Sequence, residues 1–465
     1  MFSKETYINR RKRLQQKVQS GLILMLGNTD VPMNYKDNVY HFRQDSTFLY
    51  FFGIDLQDHA AIIDIDNNKE YLFGDDISLG HIIWMGPQPT MTEKAASIGV
   101  ENTRPMADLA TMVGDALKAG RPVHFNPPYR GENIMWLADL LGCRHNEVQS
   151  KTSLELTKAC IEIRSIKEPC EIEEMERHMA VAYQMHTTAM RMAQDGVTEQ
   201  AITGAMEGIS MSGGGMVSFP IICSKRGETL HNHDHSNILR TGDLLLVDGG
   251  SESPLHYATD HTRTSPVGGK FTQRQKEIYQ IVVDANNISR EATKPGVTYK
   301  EAHLVAARVI ASGLKDLGLM KGDVDEAVAA GAHAMFFPHG LGHMIGLDVH
   351  DMEDYNDTLV GYMDEMERSS QFGLAALRLG RTLQPGFCIT NEPGIYFIPA
   401  LIDQWKADGT NADFINFDKV ESYKDFGGVR LEDDILVTED GCRILGERIP
   451  ITVDEVEATV SEGKK

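Results

Sequence analysis

The chain has 465 residues, more than one hydrophobic core normally serves, so two domains are expected. Its 67 Asp and Glu against 45 Lys and Arg give a formal net charge of -22, which argues against nucleic acid or an anionic membrane as the main partner. The N-terminal run MFSKETYINRRKRLQQKVQSG is charged throughout, and the apolar stretch that follows, Leu22 to Leu26, is too short for a signal sequence core or a membrane span. A cytoplasmic protein is expected.

The first 150 or so residues mix short β-like runs (LILMLG, AAIIDI, EYLFG, RPVHF) with helical stretches such as ADLATMVGDALKAG, an α/β alternation. From Ser153 to Gln194 the chain turns charged and helical, and Pro169 with Glu171 to Glu174 opens a long helix. The domain boundary is expected at this connector, with an N-terminal domain over 1–160 and a second domain over 161–465. Beyond it come a Gly-rich turn (SGGGM), a strand in DLLLVDGGS, a second strand over Tyr257 to Val267, and helices at 272–293 and 298–317. The tail after Ile449 is acidic with little apolar pattern and reads as a surface strand or a frayed end. Six cysteines (Cys143, Cys160, Cys170, Cys223, Cys388, Cys442) lie far apart with no C-x-x-C pair, which predicts free thiols.

Five residues in distinctive local sequences could ligate metal: Asp248, Asp260, His343, Glu392 and Glu432. Four carboxylates brought together without cations would repel one another, whereas two divalent cations bring such a site close to neutrality. Metals held that way polarise a carbonyl and deprotonate a water near neutral pH, the equipment of a hydrolase. Adjacent strands would bring Asp248 and Asp260 together, with Thr262 positioned to hydrogen-bond a ligand from behind. PHGLGHMIGLDVHD contains His339, His343 and His350, but a helical zinc-protease motif is excluded: no Glu follows the first His, and Gly340, Gly342 and Gly346 break a helix. The segment reads as a loop leading into a strand. Glu392 in TNEPGIYF and Glu432 in GGVRLEDD sit in apolar contexts, and a salt bridge from Arg430 is the plain structural explanation for Glu432. HNHDH at 231–235 reads as a solvated loop, with His231 a separate case.

DGGSESPLHYATD, HGLGHMIGLDVHD, NEPG and GVRLEDD, in this order, resemble the prolidase and aminopeptidase P group of the pita-bread metallopeptidases, and YHFRQDSTFLYFFG resembles the N-terminal domain that those enzymes share. The resemblance implies an α+β architecture, with a creatinase-like α/β N-terminal domain and a catalytic domain of curved antiparallel sheet covered by helices. It implies Asp248 as a terminal ligand of one metal, His343 and Glu392 as ligands of the other, and Asp260 and Glu432 as bridges. A hydroxide between the metals would attack the carbonyl of a Xaa-Pro bond, and Glu392 would take its proton. His350 and His231 would bind the carbonyl oxygen, His339 would line the substrate pocket, and Arg430 would support the ligands from behind.

Within the group, the preferred substrate is a Xaa-Pro dipeptide, because GLAALRLGRTLQPG resembles the segment in which an arginine, here Arg378, captures the free carboxylate. The long stretch between Glu392 and Arg430 points the same way. The alternatives are an aminopeptidase acting on longer peptides and a catalytically inactive peptide-binding relative. Manganese suits the carboxylate-rich site, with cobalt or zinc as substitutes, and the family implies a homodimer or higher homo-oligomer. Gly249 and Gly250 follow Asp248 where Ala-Gly or Cys-Gly is common, and the spacing from Asp248 to Asp260 is one residue longer than in many relatives, which predicts a bulge in the strands.

Overall fold

The computed structural model describes residues 1–463. Its chain divides into two compact units, one of Met1–Arg164 with Asp354–Asn356, the other of Ser165–Glu353 with the chain from Asp357 onward. A single cut at residue 160 omits the return of Asp354–Asn356 to the first unit, where the Tyr355 hydroxyl accepts from Asn126 Nδ2 at 3.3 Å.

The first unit begins with helix α1 (Lys4–Lys17), whose N-cap Ser3 accepts from the Thr6 N–H at 3.3 Å. Its sheet contains β1 (Leu22–Leu26), β2 (Ala60–Asp64), β3 (Lys69–Phe73), β4 (Asn102–Arg104) and β5 (Val123–His124), in the order β4-β3-β2-β1-β5. β1 and the first four residues of β2 are continuous apolar runs because both strands lie inside the sheet and are covered on both faces. Helix α2 (Asp108–Lys118) places Leu109, Val113 and Ala116 in one core cluster with Leu22, Leu24, Ile62 and Phe73.

The second unit opens with helix α3 (Pro169–Met192), started by a proline in its first turn and by the Glu168 N–H donating to Glu171 Oε2 at 2.8 Å. One antiparallel sheet joins β6 (Ile222–Ser224), β7 (Leu244–Gly249) and β8 (His261–Pro266) in the order β8-β7-β6. Helices α4 (Gln273–Ala292) and α5 (Tyr299–Asp316) each begin at a threonine capping box, Thr272 with Gln275 and Thr298 with Glu301. Then follow β9 (Cys388–Asn391), β10 (Gly394–Tyr396), β11 (Gly428–Arg430), β12 (Asp433–Val437) and β13 (Cys442–Ile444), which form an antiparallel sheet β9-β12-β13 and an antiparallel pair β10-β11. Helix α3 packs on β7 and β8, and α4 on β9, β10 and β11.

Two expectations fail here. Over its described residues the tail forms a helix where a surface strand or frayed end was expected: α6 (Val453–Glu462) starts at the Thr452–Glu455 capping box and buries Val456 and Val460. Val453, Val456 and Val460 stand at helical spacing behind the cap signature, so the sequence did hold the signal for this helix. No bulge interrupts the β7–β8 ladder either. Asp248 faces Thr262 and Gly249 faces His261, and the same register reaches the Glu252–Ala258 bridge and the Ser253 N–H to Tyr257 O bond of 2.8 Å. The hairpin tip, where His256 has φ 66°, accommodates the length. A bulge inside the ladder would have turned one of the two aspartates to the opposite face.

All six cysteines are free thiols. Among the described residues, no helix is long and apolar enough to cross a membrane.

Candidate metal centre

Register alone brings the two aspartates together. Asp260 lies two residues before Thr262 on the same face, and Asp248 stands directly across from Thr262, so the carboxylates are diagonal neighbours. Glu432 joins them because its N–H donates to the Thr262 carbonyl at 3.0 Å, while the Thr262 hydroxyl donates to Glu432 Oε2 at 2.7 Å.

The histidine-rich segment does not lead into a strand. It lies along β9 instead: the Ile345 N–H donates to Cys388 O at 3.0 Å, the Thr390 N–H to His343 O at 3.0 Å, and the Glu392 N–H to Leu341 O at 2.8 Å. Gly342 permits this approach, since a Cβ there would fall 2.1 Å from the Thr390 carbonyl oxygen. The chain then turns through Met352, with φ 66°, into a helix over Glu353–Tyr362. His343 and Glu392 are thus fixed by adjacent backbones.

On α4, Asn286 Nδ2 donates to Asn391 O at 3.1 Å and to Leu431 O at 3.0 Å, the carbonyls just before Glu392 and Glu432. One buried amide therefore sets the spacing of two glutamates that are forty residues apart in sequence.

All five candidate ligands line one cleft of about 520 Å³. One ligand atom each from Asp260, His343 and Glu432 lies within 4.8 Å of the others, and His343 Nε2 is 3.4 Å from Asp260 Oδ2 and 3.8 Å from Glu392 Oε1. His343 Nδ1 is 3.0 Å from the Met344 carbonyl, which places the proton on Nδ1 and leaves the Nε2 lone pair for a metal.

The carboxylates are strained electrostatically. Burial, followed by the charges of Asp248, Asp434 and Glu392, pushes Asp260 well above the ordinary carboxylate range, and burial with Asp260, Glu392 and Asp248 does the same to Glu432. Burial also raises Glu392, against the opposing effect of His343 and Arg430. Asp248 Oδ1 and Asp260 Oδ1 are buried with no hydrogen-bond donor. Oxygen-rich donors left without partners, with one correctly oriented imidazole, fit divalent cations such as manganese, cobalt or zinc.

Arg430 supports the cluster, but not through Glu432. Its Nη2 donates to Asp248 Oδ2 at 2.6 Å, its Nε to the Thr262 hydroxyl at 3.1 Å and its Nη1 to the Tyr396 hydroxyl at 2.8 Å. The carboxylate of Glu432 is bonded by Thr262 instead, so Arg430 reaches it only through that hydroxyl.

His339, His350, His231 and Arg378 also line the cleft. The His339 ring bridges the Gly340 carbonyl and the Tyr396 hydroxyl at 2.8 Å each, and burial with the Arg430 charge pushes its pKa down to about 3. It is therefore a neutral wall of the cleft. The His350 ring packs edge-on against His343 with centroids 4.1 Å apart, and burial followed by His343 lowers its pKa.

Three further residues escaped the sequence reading. Tyr396, in GIYF, links Arg430 to His339. His233, taken for part of a solvated loop, lines the cleft. Glu353 contacts both His350 and Arg378. Only Tyr396 carried a signal, its place in the NEPGIYF motif.

A family model described as Metallopeptidase family M24 matches residues 173–439, and one described as Aminopeptidase P, N-terminal domain matches residues 7–124. The chain is 32% identical over 465 residues to Xaa-Pro dipeptidase of Homo sapiens, covering 97% of this chain and 91% of that protein. It is 29% identical over 480 residues to Xaa-Pro aminopeptidase of Escherichia coli strain K12, covering 100% and 99%. Among solved structures, Escherichia coli aminopeptidase P with the inhibitor Pro-Leu superimposes with a TM-score of 0.81 at 29% identity, covering 100% of this chain and 99% of that one. A zinc-substituted form of that enzyme in complex with product gives the same TM-score at 28% identity.

Proposed function

Because the chain belongs to metallopeptidase family M24, with the two-domain pita-bread fold of that family, we propose that it is a Xaa-Pro dipeptidase acting through two divalent cations, manganese first. The observation that carries the dipeptide preference is Arg378, a guanidinium in the same cleft as the five candidate ligands. A dipeptide ending in proline presents a carboxylate one residue from the scissile carbonyl, and a nearby guanidinium is the natural receptor for it.

Asp248, Asp260, His343, Glu392 and Glu432 would hold the cations. Bound there, the cations lower the pKa of water and polarise a carbonyl. Glu392 accepts the proton of the attacking water and passes it to the proline nitrogen as the bond to that nitrogen breaks. His350 and His231 donate to the carbonyl oxygen as charge develops on it. His339, neutral and tied at both nitrogens, shapes the wall against which the substrate lies. Arg430 and Thr262 hold Asp248 and Glu432 in place.

A second reading, an aminopeptidase acting on longer peptides, draws on the full-length match to the Escherichia coli aminopeptidase. Turnover of a Xaa-Pro dipeptide and of the matched Xaa-Pro-Xaa tripeptide, after chelation and manganese add-back, separates the two. Manganese-dependent cleavage of the dipeptide alone supports the dipeptidase. Cleavage of the tripeptide moves the assignment to the aminopeptidase, and cleavage of neither leaves a peptide-binding relative.

A cytoplasmic homodimer is part of the same proposal. The helix Leu79–Met85 supports self-association, since Leu79, Ile83 and Trp84 are exposed on it, and sedimentation of the purified chain tests it.

A further inference from the structure

Arg378 is not a bare cation. Its Nη1 donates to Glu353 Oε2 at 2.6 Å, and the same oxygen lies 3.4 Å from His350 Nδ1. Glu353 is largely buried, with 12% of its side chain exposed, behind two residues that line the cleft while it does not. Nothing in the proposed chemistry requires a further carboxylate at this point, where it competes with the group that Arg378 would receive.

The backbone around it is firmly held. The Asp351 N–H donates to Met344 O at 2.9 Å, its carboxylate pairs with Lys167 at 2.9 Å with both side chains buried, and the Glu353 N–H donates to His350 O at 3.2 Å. The carboxylate is therefore not a chance rotamer of a surface glutamate. It occupies one of the five donors of the guanidinium, offsets its charge, and anchors the imidazole by Nδ1.

We infer that Glu353 is a positioning residue that sets specificity: it moderates the pull of Arg378 on an anionic substrate end and holds His350 against the reacting carbonyl. This rests on the proposed role of Arg378. With Glu353 ionised, a substrate carboxylate meets a nearly neutral pair, bound mainly by directed hydrogen bonds. Product carrying the same carboxylate is then released more readily than from an uncompensated cation. Through the shared oxygen, the site that reads the substrate end is joined to the site that stabilises the carbonyl oxygen.

The test is Glu353→Gln in the manganese-loaded enzyme. It reads kcat and KM for a Xaa-Pro dipeptide and the inhibition constant of the corresponding dipeptide amide, which lacks the negative end. The dipeptide KM should fall about fivefold, as for loss of a partly exposed opposing charge, while the inhibition constant of the amide stays put. The kcat should fall about tenfold because His350 loses its anchor. Glu353→Asp, which retains the charge, should return the ratio of the two constants toward wild type.

Equal changes in the two constants, or no change in either, would overturn the inference. KM and inhibition constants do not depend on the active fraction, so partial misfolding does not obscure their ratio, on which the inference is judged. Failure of the underlying reading appears separately, as an Arg378→Ala enzyme that still discriminates dipeptide from amide.

Discussion

The Thr262 hydroxyl donates to Glu432 Oε2 at 2.7 Å and accepts from Arg430 Nε at 3.1 Å, so one side chain of β8 orients a carboxylate supplied by the link between β11 and β12. Thr262→Val keeps the shape and removes both bonds. Divalent-cation affinity, measured by titration calorimetry on the chelated protein, should fall about 10-fold or more, the usual cost of losing a hydrogen bond behind a ligand. Unchanged affinity would show that Thr262 does not orient Glu432.

The raised carboxylates make a prediction about pH. In the metal-free protein, burial and mutual repulsion raise Asp260 and Glu432 above their unfolded values, so the folded chain keeps protons that the unfolded chain releases. The contribution of these two groups to metal-free stability is therefore fully present below the ordinary carboxylate range and is lost as pH rises toward the raised folded values. Bound cations remove that repulsion. The gap in Tm between manganese-loaded and chelated protein should widen between about pH 5 and about pH 8, and a constant gap would contradict the assignment.

Arg378→Ala should lower dipeptide kcat/KM by about 10- to 100-fold, the range for losing a charge-assisted hydrogen bond to a carboxylate. A tripeptide, whose proline carboxyl is tied in a peptide bond, should lose much less. Steady-state kinetics on both substrates decides the matter, and equal losses would remove Arg378 from carboxylate recognition.

The two glycines after Asp248 should behave differently. A Cβ on Gly250 would lie 1.7 Å from the Thr259 carbonyl oxygen, whereas on Gly249 it would first meet Ile221 Cγ1 at 3.2 Å. Gly250→Ala has to move backbone beside Asp248 and should cost about 3 kcal/mol, against under about 1.5 kcal/mol for Gly249→Ala. Urea unfolding of the two variants measures the difference.

Much of this site was legible because its signals are local. Helices α4 and α5 announce themselves by a capping threonine and an amphipathic stripe, both contained within a few turns of chain. Asp248, Asp260, His343, Glu392 and Glu432 stand out because each sits in a short distinctive motif. Strand β8 falls within the strand expected over Tyr257 to Val267, but that the polar HTRTSP is wholly buried was not legible, since Arg263 spends its donors on Thr262, Glu432, Asp433, Ile449 and Pro450.

The chain by itself determined which residues could ligate metal, that there would be two domains, and where the helices opening near residues 169, 272 and 298 begin, because backbone preference and motif spacing are properties of neighbours in sequence. Only the tertiary structure decided that Arg430 pairs with Asp248, that Asn286 spaces the two glutamates, and that Glu353 lies between His350 and Arg378. Each of those contacts depends on which buried polar atom comes within about 3 Å of which other, and that is set by strand register and helix packing across long separations in the chain.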